Sequence, residues 1–155
     1  MSRRVTPASS FTALLTAACL AATAAAAQQP DTPVGTPDSM TWNAAPFPGI
    51  SIAVAAGSPM ASGMYAIFVR FTPGAKAQPH THPDQRIVTV LSGVIYVGIG
   101  TQIDPSKALT LKAGNVIVIP ADAPHYGWTT DSEAILQEVG TAPTGTKVWP
   151  QAAAK

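Results

Sequence analysis

The chain has one cysteine, Cys19, and it falls in an N-terminal stretch whose composition marks it for removal. A mature chain without cysteine excludes disulfides and thiolate chemistry, so stability must come from a packed core. Charge is scarce too: 11 % of residues are charged, against 46 % hydrophobic ones. That balance excludes a disordered chain. Nine Lys and Arg face eight Asp and Glu; without Arg3 and Arg4 the seven that remain give a net of −1. A near-neutral domain has no electrostatic footprint for DNA or RNA, so nucleic acid is excluded as a partner. Helical patterning is missing as well. After residue 27 no stretch supports a helix of ten residues, and there is neither an internal repeat nor a heptad pattern.

The N-terminus, "MSRRVTPASSFTALLTAACLAATAAAAQQP", has a basic start, a weakly apolar run from Phe11 to about Ala26, and small residues before Gln28. This is the layout of a secretory signal peptide cleaved after Ala27. The run is short for a membrane span and rich in Ala and Thr, so no membrane segment is expected after cleavage. Ser2-Arg3-Arg4 suits twin-arginine export, although Thr6 stands where an apolar residue would strengthen that reading. A lipoprotein anchor at Cys19 is disfavoured by Thr16, which occupies the place of the usual leucine. The expected destination is a bacterial periplasm or the outside of the cell.

Four regions follow from composition: the signal peptide at 1–27, a Pro-rich extension at 28–49, a β domain at 50–145 and a tail at 146–155. The β signals are dense. Residues 64–71, 86–91, 94–99, 108–111, 115–119, 125–128 and 134–139 are short β-branched or alternating runs bounded by Gly, Pro, Asp or Ser. Ser92-Gly93 reads as a hairpin turn, and Asp104 to Lys107 as one helical turn. Seven such strands predict an all-β sandwich or barrel of short antiparallel strands.

Histidine is the residue whose scarcity is most informative. Of three in the chain, His80 and His82 stand in "PHTHPDQR" and His125 in "PADAPHYGW". Side chains at i and i+2 of a strand share a face, so His80 and His82 can present two imidazoles to one point. Neutral imidazole is the commonest metal ligand. With His125 from a later strand the set becomes a three-nitrogen face with open positions, the pattern of catalytic rather than structural sites. Solvent-exposed or backbone-bonded histidines are the alternative.

The spacing around these residues resembles the two motifs of the cupin superfamily. In "GAKAQPHTHPDQRIVTVLSG", Gly74, His80, His82 and Gly93 fit the first motif, and Arg86 stands where a glutamate is usual. In "GNVIVIPADAPHYGWT", Gly114, Pro120 and His125 fit the second, with Asp122 in place of a glycine and Thr129 in place of an asparagine. The resemblance covers about residues 50 to 145 and implies a small jelly-roll β-barrel. It also implies one divalent transition metal on His80, His82 and His125, and an oxygenase- or isomerase-type reaction on a small molecule. Nitrogen-rich ligation suits iron, copper, zinc, nickel or manganese better than calcium or magnesium.

Arg86 leaves three readings open, since a guanidinium has no lone pair to replace the glutamate ligand. A three-histidine centre would leave positive charge uncompensated, favour an anionic or chelating substrate, and let Arg86 clamp it. Alternatively Gln85, Gln137 or Glu138 supplies the missing oxygen. Or there is no metal, and the barrel is a non-catalytic module that captures a small anion or sugar-like ligand through Arg86. One of Gln137 and Glu138 must face inward; Gln137 is the expected pocket residue, with Glu138 pairing to Arg86 or reaching solvent. Tyr96 and Trp128 are expected as walls of the substrate pocket, and Asp84 as a solvated loop residue. Homodimerisation through an exposed sheet face or through the N-terminal extension is the assembly this sequence allows.

Overall fold

The computed structural model describes residues 35–150, so the expected signal peptide and Cys19 lie outside the described residues. Eleven strands run through that span: β1 (Asn43–Ala44), β2 (Ile50–Ala56), β3 (Gly63–Phe71), β4 (Lys76–Thr81), β5 (Arg86–Ser92), β6 (Val94–Ile99), β7 (Leu109–Lys112), β8 (Val116–Ile119), β9 (His125–Trp128), β10 (Ala134–Ala142) and β11 (Lys147–Val148). No α-helix occurs among the described residues. The expected helical turn is a short 3-10 turn at Pro105–Lys107, where the Asp104 side chain accepts a hydrogen bond from the Ser106 N–H.

All strand pairs are antiparallel, in a six-stranded sheet ordered β1-β2-β3-β10-β5-β8 and a five-stranded sheet ordered β11-β4-β9-β6-β7. This is the all-β architecture expected from the strand pattern, in the jelly-roll form that the cupin resemblance implies. Alternation along each strand sends one set of side chains into the space between the sheets. Ile67, Val69, Val88 and Leu136 from the first sheet share a core with Ile95 and Val97 from the second.

One local reading is corrected. Ser92-Gly93 is not a hairpin, because β5 and β6 lie in different sheets. The chain crosses there from one layer to the other, as it does again at Gly114 between β7 and β8. Gly93 has φ 77°, and a Cβ on it would overlap the Glu133 carbonyl oxygen. Only glycine meets both demands. Asp122, which stands where the motif has glycine, adopts φ 58° as one of the few residues that tolerate it.

The ends of the described chain contribute to the sandwich. β1 pairs with β2 of its own chain, and Phe47 just after it is buried in the core. Past β10, β11 pairs with β4, beside Thr81 and His80. Gly93→Ala should lower the unfolding free energy by about 2–4 kcal/mol. Urea denaturation followed by tryptophan fluorescence measures this; a midpoint equal to the wild type would show that the corner tolerates a side chain.

Candidate metal centre

The histidines owe their direction to an irregularity in β4. Lys76 and Ala77 pair with Trp128 and Gly127, whereas the next pair is His80 with His125. Gln78 and Pro79 together therefore stand opposite Tyr126 alone, which is a β-bulge. Without the extra residue, Ala77 and Pro79 would share the inner face and His80 would point outward. Proline, which cannot donate to a ladder, is suited to such a position. With the bulge, Ala77, His80 and His82 all line the space between the sheets. His125, the first residue of β9, faces them from the neighbouring strand.

The three imidazoles converge. Their ligand atoms lie within 4.8 Å of one another, and the rings are 4.2 to 5.2 Å apart between centroids. Each Nδ1 sits against a backbone carbonyl: Gln78 at 2.7 Å for His80, Gly145 at 2.7 Å for His82 and Ala123 at 2.9 Å for His125. A carbonyl only accepts, so each Nδ1 carries the proton and donates it. Each Nε2 is then left as a bare lone pair. Burial pushes His80 down to about 3, assisted by His125, and pushes His82 down to about 4, assisted by Arg86. Burial also lowers His125. Three neutral, tautomerically pinned imidazoles facing one point have no donor among themselves, and a divalent cation satisfies all three. The donor set fits a transition metal.

Arg86 is buried at the end of the same space, with 5 % of its surface exposed, and it is not free. One terminal nitrogen donates to Glu138 Oε2 at 2.6 Å, and the other donates to Thr144 Oγ1 at 3.0 Å. Its Nε lies 3.6 Å from Asp84 Oδ1 and makes no hydrogen bond. Asp84 is therefore not the solvated loop residue expected. It is buried and accepts hydrogen bonds from Tyr65, at 2.6 Å, and from Thr144. Burial alone would raise its carboxyl; the Thr144 and Tyr65 hydrogen bonds and the Arg86 charge hold it below the usual range. Burial and the bond to Asp84 in turn raise the Tyr65 phenol, which stays protonated. Gly140 leaves the room: a Cβ there would overlap Asp84 Oδ2 and the Tyr65 hydroxyl.

Two further expectations are corrected. Glu138, not Gln137, lines the cavity, because Leu136 and Glu138 share the inner face of β10. Its pairing with Arg86 is as expected. Tyr96 and Trp128 do not line the cavity either. They alternate with the lining residues Ile95, Val97 and Gly127, so they stand on the outer face of the sheet, stacked on each other at 5.3 Å. The actual wall beside His80 is Phe47, with ring centroids 5.1 Å apart. The cavity measures about 80 Å³, and Pro46 and Thr146 are its exposed lining residues. Segment 143–146, which supplies Thr144 and the Gly145 carbonyl, lies in the sequence at the border of domain and tail. Its Pro-Thr-Gly-Thr composition signals a turn but not a partner for His82.

A cupin-domain family model matches residues 67–137, a span that holds all three histidines and Arg86. Among curated proteins, germin-like protein 1-1 of Oryza sativa subsp. japonica is 36 % identical over 85 residues, covering 54 % of this chain and 35 % of that protein. Putative germin-like protein 2-3 of the same species is 41 % identical over 64 residues, covering 37 % of this chain and 29 % of that one. The match thus spans about a third of these relatives. Among solved structures, the polyketide cyclase RemF of Streptomyces resistomycificus superposes with a TM-score of 0.66 at 14 % identity, covering 79 % of this chain and 89 % of that one. The DMSP lyase DddQ of Ruegeria pomeroyi gives 0.61 at 15 %, covering 74 % and 64 %. Family match, fold and the histidine cluster agree: residues 67–137 of this chain carry a cupin domain.

Burial of neutral imidazoles has a pH signature. The folded values of about 3 and about 4 lie below the 6.5 of an unfolded histidine, so between them the unfolded chain binds more protons. Stability of the metal-free protein is full above about pH 6.5 and falls as the pH drops toward about 4. Asp84 adds its own loss only below the 3.8 of an unfolded aspartate. Urea midpoints measured across this range should be level above neutrality and decline below about pH 6.5. A level series down to pH 4.5 would rule out buried neutral histidines.

Proposed function

We propose that this chain is an exported, metal-dependent cupin enzyme that acts on a small oxygen-bearing or anionic molecule by oxygenase- or isomerase-type chemistry. The observation that carries the reading is the trio of Nδ1–carbonyl bonds, which turns three Nε2 lone pairs toward one point. His80, His82 and His125 would hold the ion, with iron, copper, zinc, nickel or manganese as the candidates. A metal there would polarise a carbonyl or enolate oxygen, or activate water or O2. Around it the protein supplies a largely apolar chamber, with Phe47 on one side and aliphatic side chains from both sheets on the others.

The fixed charges also bear on the substrate. Arg86, Glu138 and Asp84 together carry one negative charge, so a divalent ion brings the buried group to +1. That favours an anion, though less strongly than an unpaired Arg86 would. The same pairing weakens the anion-capturing alternative, which needs a guanidinium with donors to spare. Arg86 here is a positioning residue rather than a substrate clamp. The structural neighbours named as a cyclase and a lyase support small-molecule catalysis on this fold, without choosing the reaction.

Elemental analysis of protein purified without chelators tests the reading. About one transition-metal ion per chain is expected, and its loss in His82→Ala. Absence of metal from the wild type, even after reconstitution with each candidate ion, would overturn it.

A further inference from the structure

The first cupin motif ordinarily carries a carboxylate at the position of Arg86, and this chain has reversed that charge. It has not dispensed with the carboxylate. Glu138 on β10, the strand paired with β5, faces the same cavity. Its charge is felt at both His82 and His125, where it opposes the effect of burial. Glu138 is nonetheless outside the cluster of ligand atoms, which comprises the three histidines alone. What holds it is Arg86. The guanidinium grips Oε2 at 2.6 Å from a side chain only 7 % exposed, while its second arm is braced on Thr144.

We infer that Arg86 is a restraint on Glu138: it keeps a carboxylate of the cavity wall from joining the three histidines on the metal. Resting on the metal-centre reading above, this explains why a carboxylate can line the chamber without closing it. A free glutamate beside a divalent ion would bind it, since carboxylate oxygen is a good ligand for every candidate metal. Paired with a guanidinium in a water-poor space, the carboxylate is already satisfied and has little to gain by moving. The coordination positions opposite the histidines then stay available to substrate. The proposal makes Arg86 and Glu138 the residues that set how open the centre is.

Zinc binding tests this without any substrate. The dissociation constant would be measured by chelator competition for the wild type, Arg86→Gln, Glu138→Gln and the double variant, with cobalt absorption spectra as the monitor of ligand number. Under the proposal Glu138→Gln binds zinc within about threefold of wild type, with an unchanged cobalt spectrum. Arg86→Gln binds about tenfold or more tightly, with a changed spectrum, in the range that metal-site neighbours command. The double variant loses that gain. A gain that persists in the double variant would mean that removing a repelling charge is enough, and would overturn the restraint. So would a tenfold loss in Glu138→Gln, which would make Glu138 a ligand already. If Arg86→Gln does not fold, Arg86→Lys serves in its place. Lysine keeps the charge but cannot fork between Glu138 and Thr144, and the absence of any gain there overturns the inference. Failure of the wild type to bind zinc or cobalt at all would overturn the metal centre itself, a result distinct from normal wild-type binding without a gain in the Arg86 variants.

Discussion

Three imidazoles have to be kept neutral, buried and turned toward one another, and most of the sandwich is arranged around that requirement. Burial of an imidazole disfavours its charged form, and a lone pair with no donor near it is uncomfortable in an apolar space. The chain meets the first demand with a core drawn from both sheets, and by donating every Nδ1 proton to a carbonyl it leaves the Nε2 lone pairs to be met by a cation. Two of those carbonyls lie two residues before the histidine they serve, so local backbone shape sets them. The third, Gly145, is 63 residues from His82 and arrives only because β10 returns the chain to the mouth of the cavity. Orientation of the site is thus a property of the backbone, and side-chain contacts refine it.

The second layer of the arrangement is electrostatic. Arg86 sits among two carboxylates and a hydroxyl, and Asp84 is in turn held by Tyr65 and Thr144. Such a buried network is stabilising only when its members are satisfied, and truncating one leaves a charge alone in a poor solvent. Its value here is geometric. It fixes which charged atoms face the chamber and which face away.

The fold and the three ligands could be read from the sequence because they depend on local rules: strand alternation, turn residues and the i, i+2 geometry of an extended chain. The bulge at Gln78-Pro79 could not be read, since it shows only in the pairing of β4 with β9. The choice of Gln137 over Glu138 failed for a definite reason. In the sequence Glu138 is free to pair with Arg86 or reach solvent, and it does pair, but Arg86 is buried, so the pair lies in the cavity; the inner face of β10 also carries the small Ala134 and Gly140 beside Leu136. Small residues are there because Asp84 and Tyr65 press against Gly140. Tyr96 and Trp128 misled as well: the largest rings of β6 and β9 stack on the outside, and aliphatics and a glycine face in. Size of side chain is a poor guide to the inner face of a narrow sandwich.

The strand formed after β10 also bears on the order in which the molecule is made. β11 pairs with His80 and Thr81, and the Trp149 N–H donates to the Pro79 carbonyl, so the last described residues brace the strand that carries the first ligand. Phe47, near the other end of the described chain, packs on the same imidazole. Closing loops of this length must precede the contacts that reward them. A ribosome-bound chain that lacks residues beyond 145 therefore has its histidines but not the strand that braces the first of them.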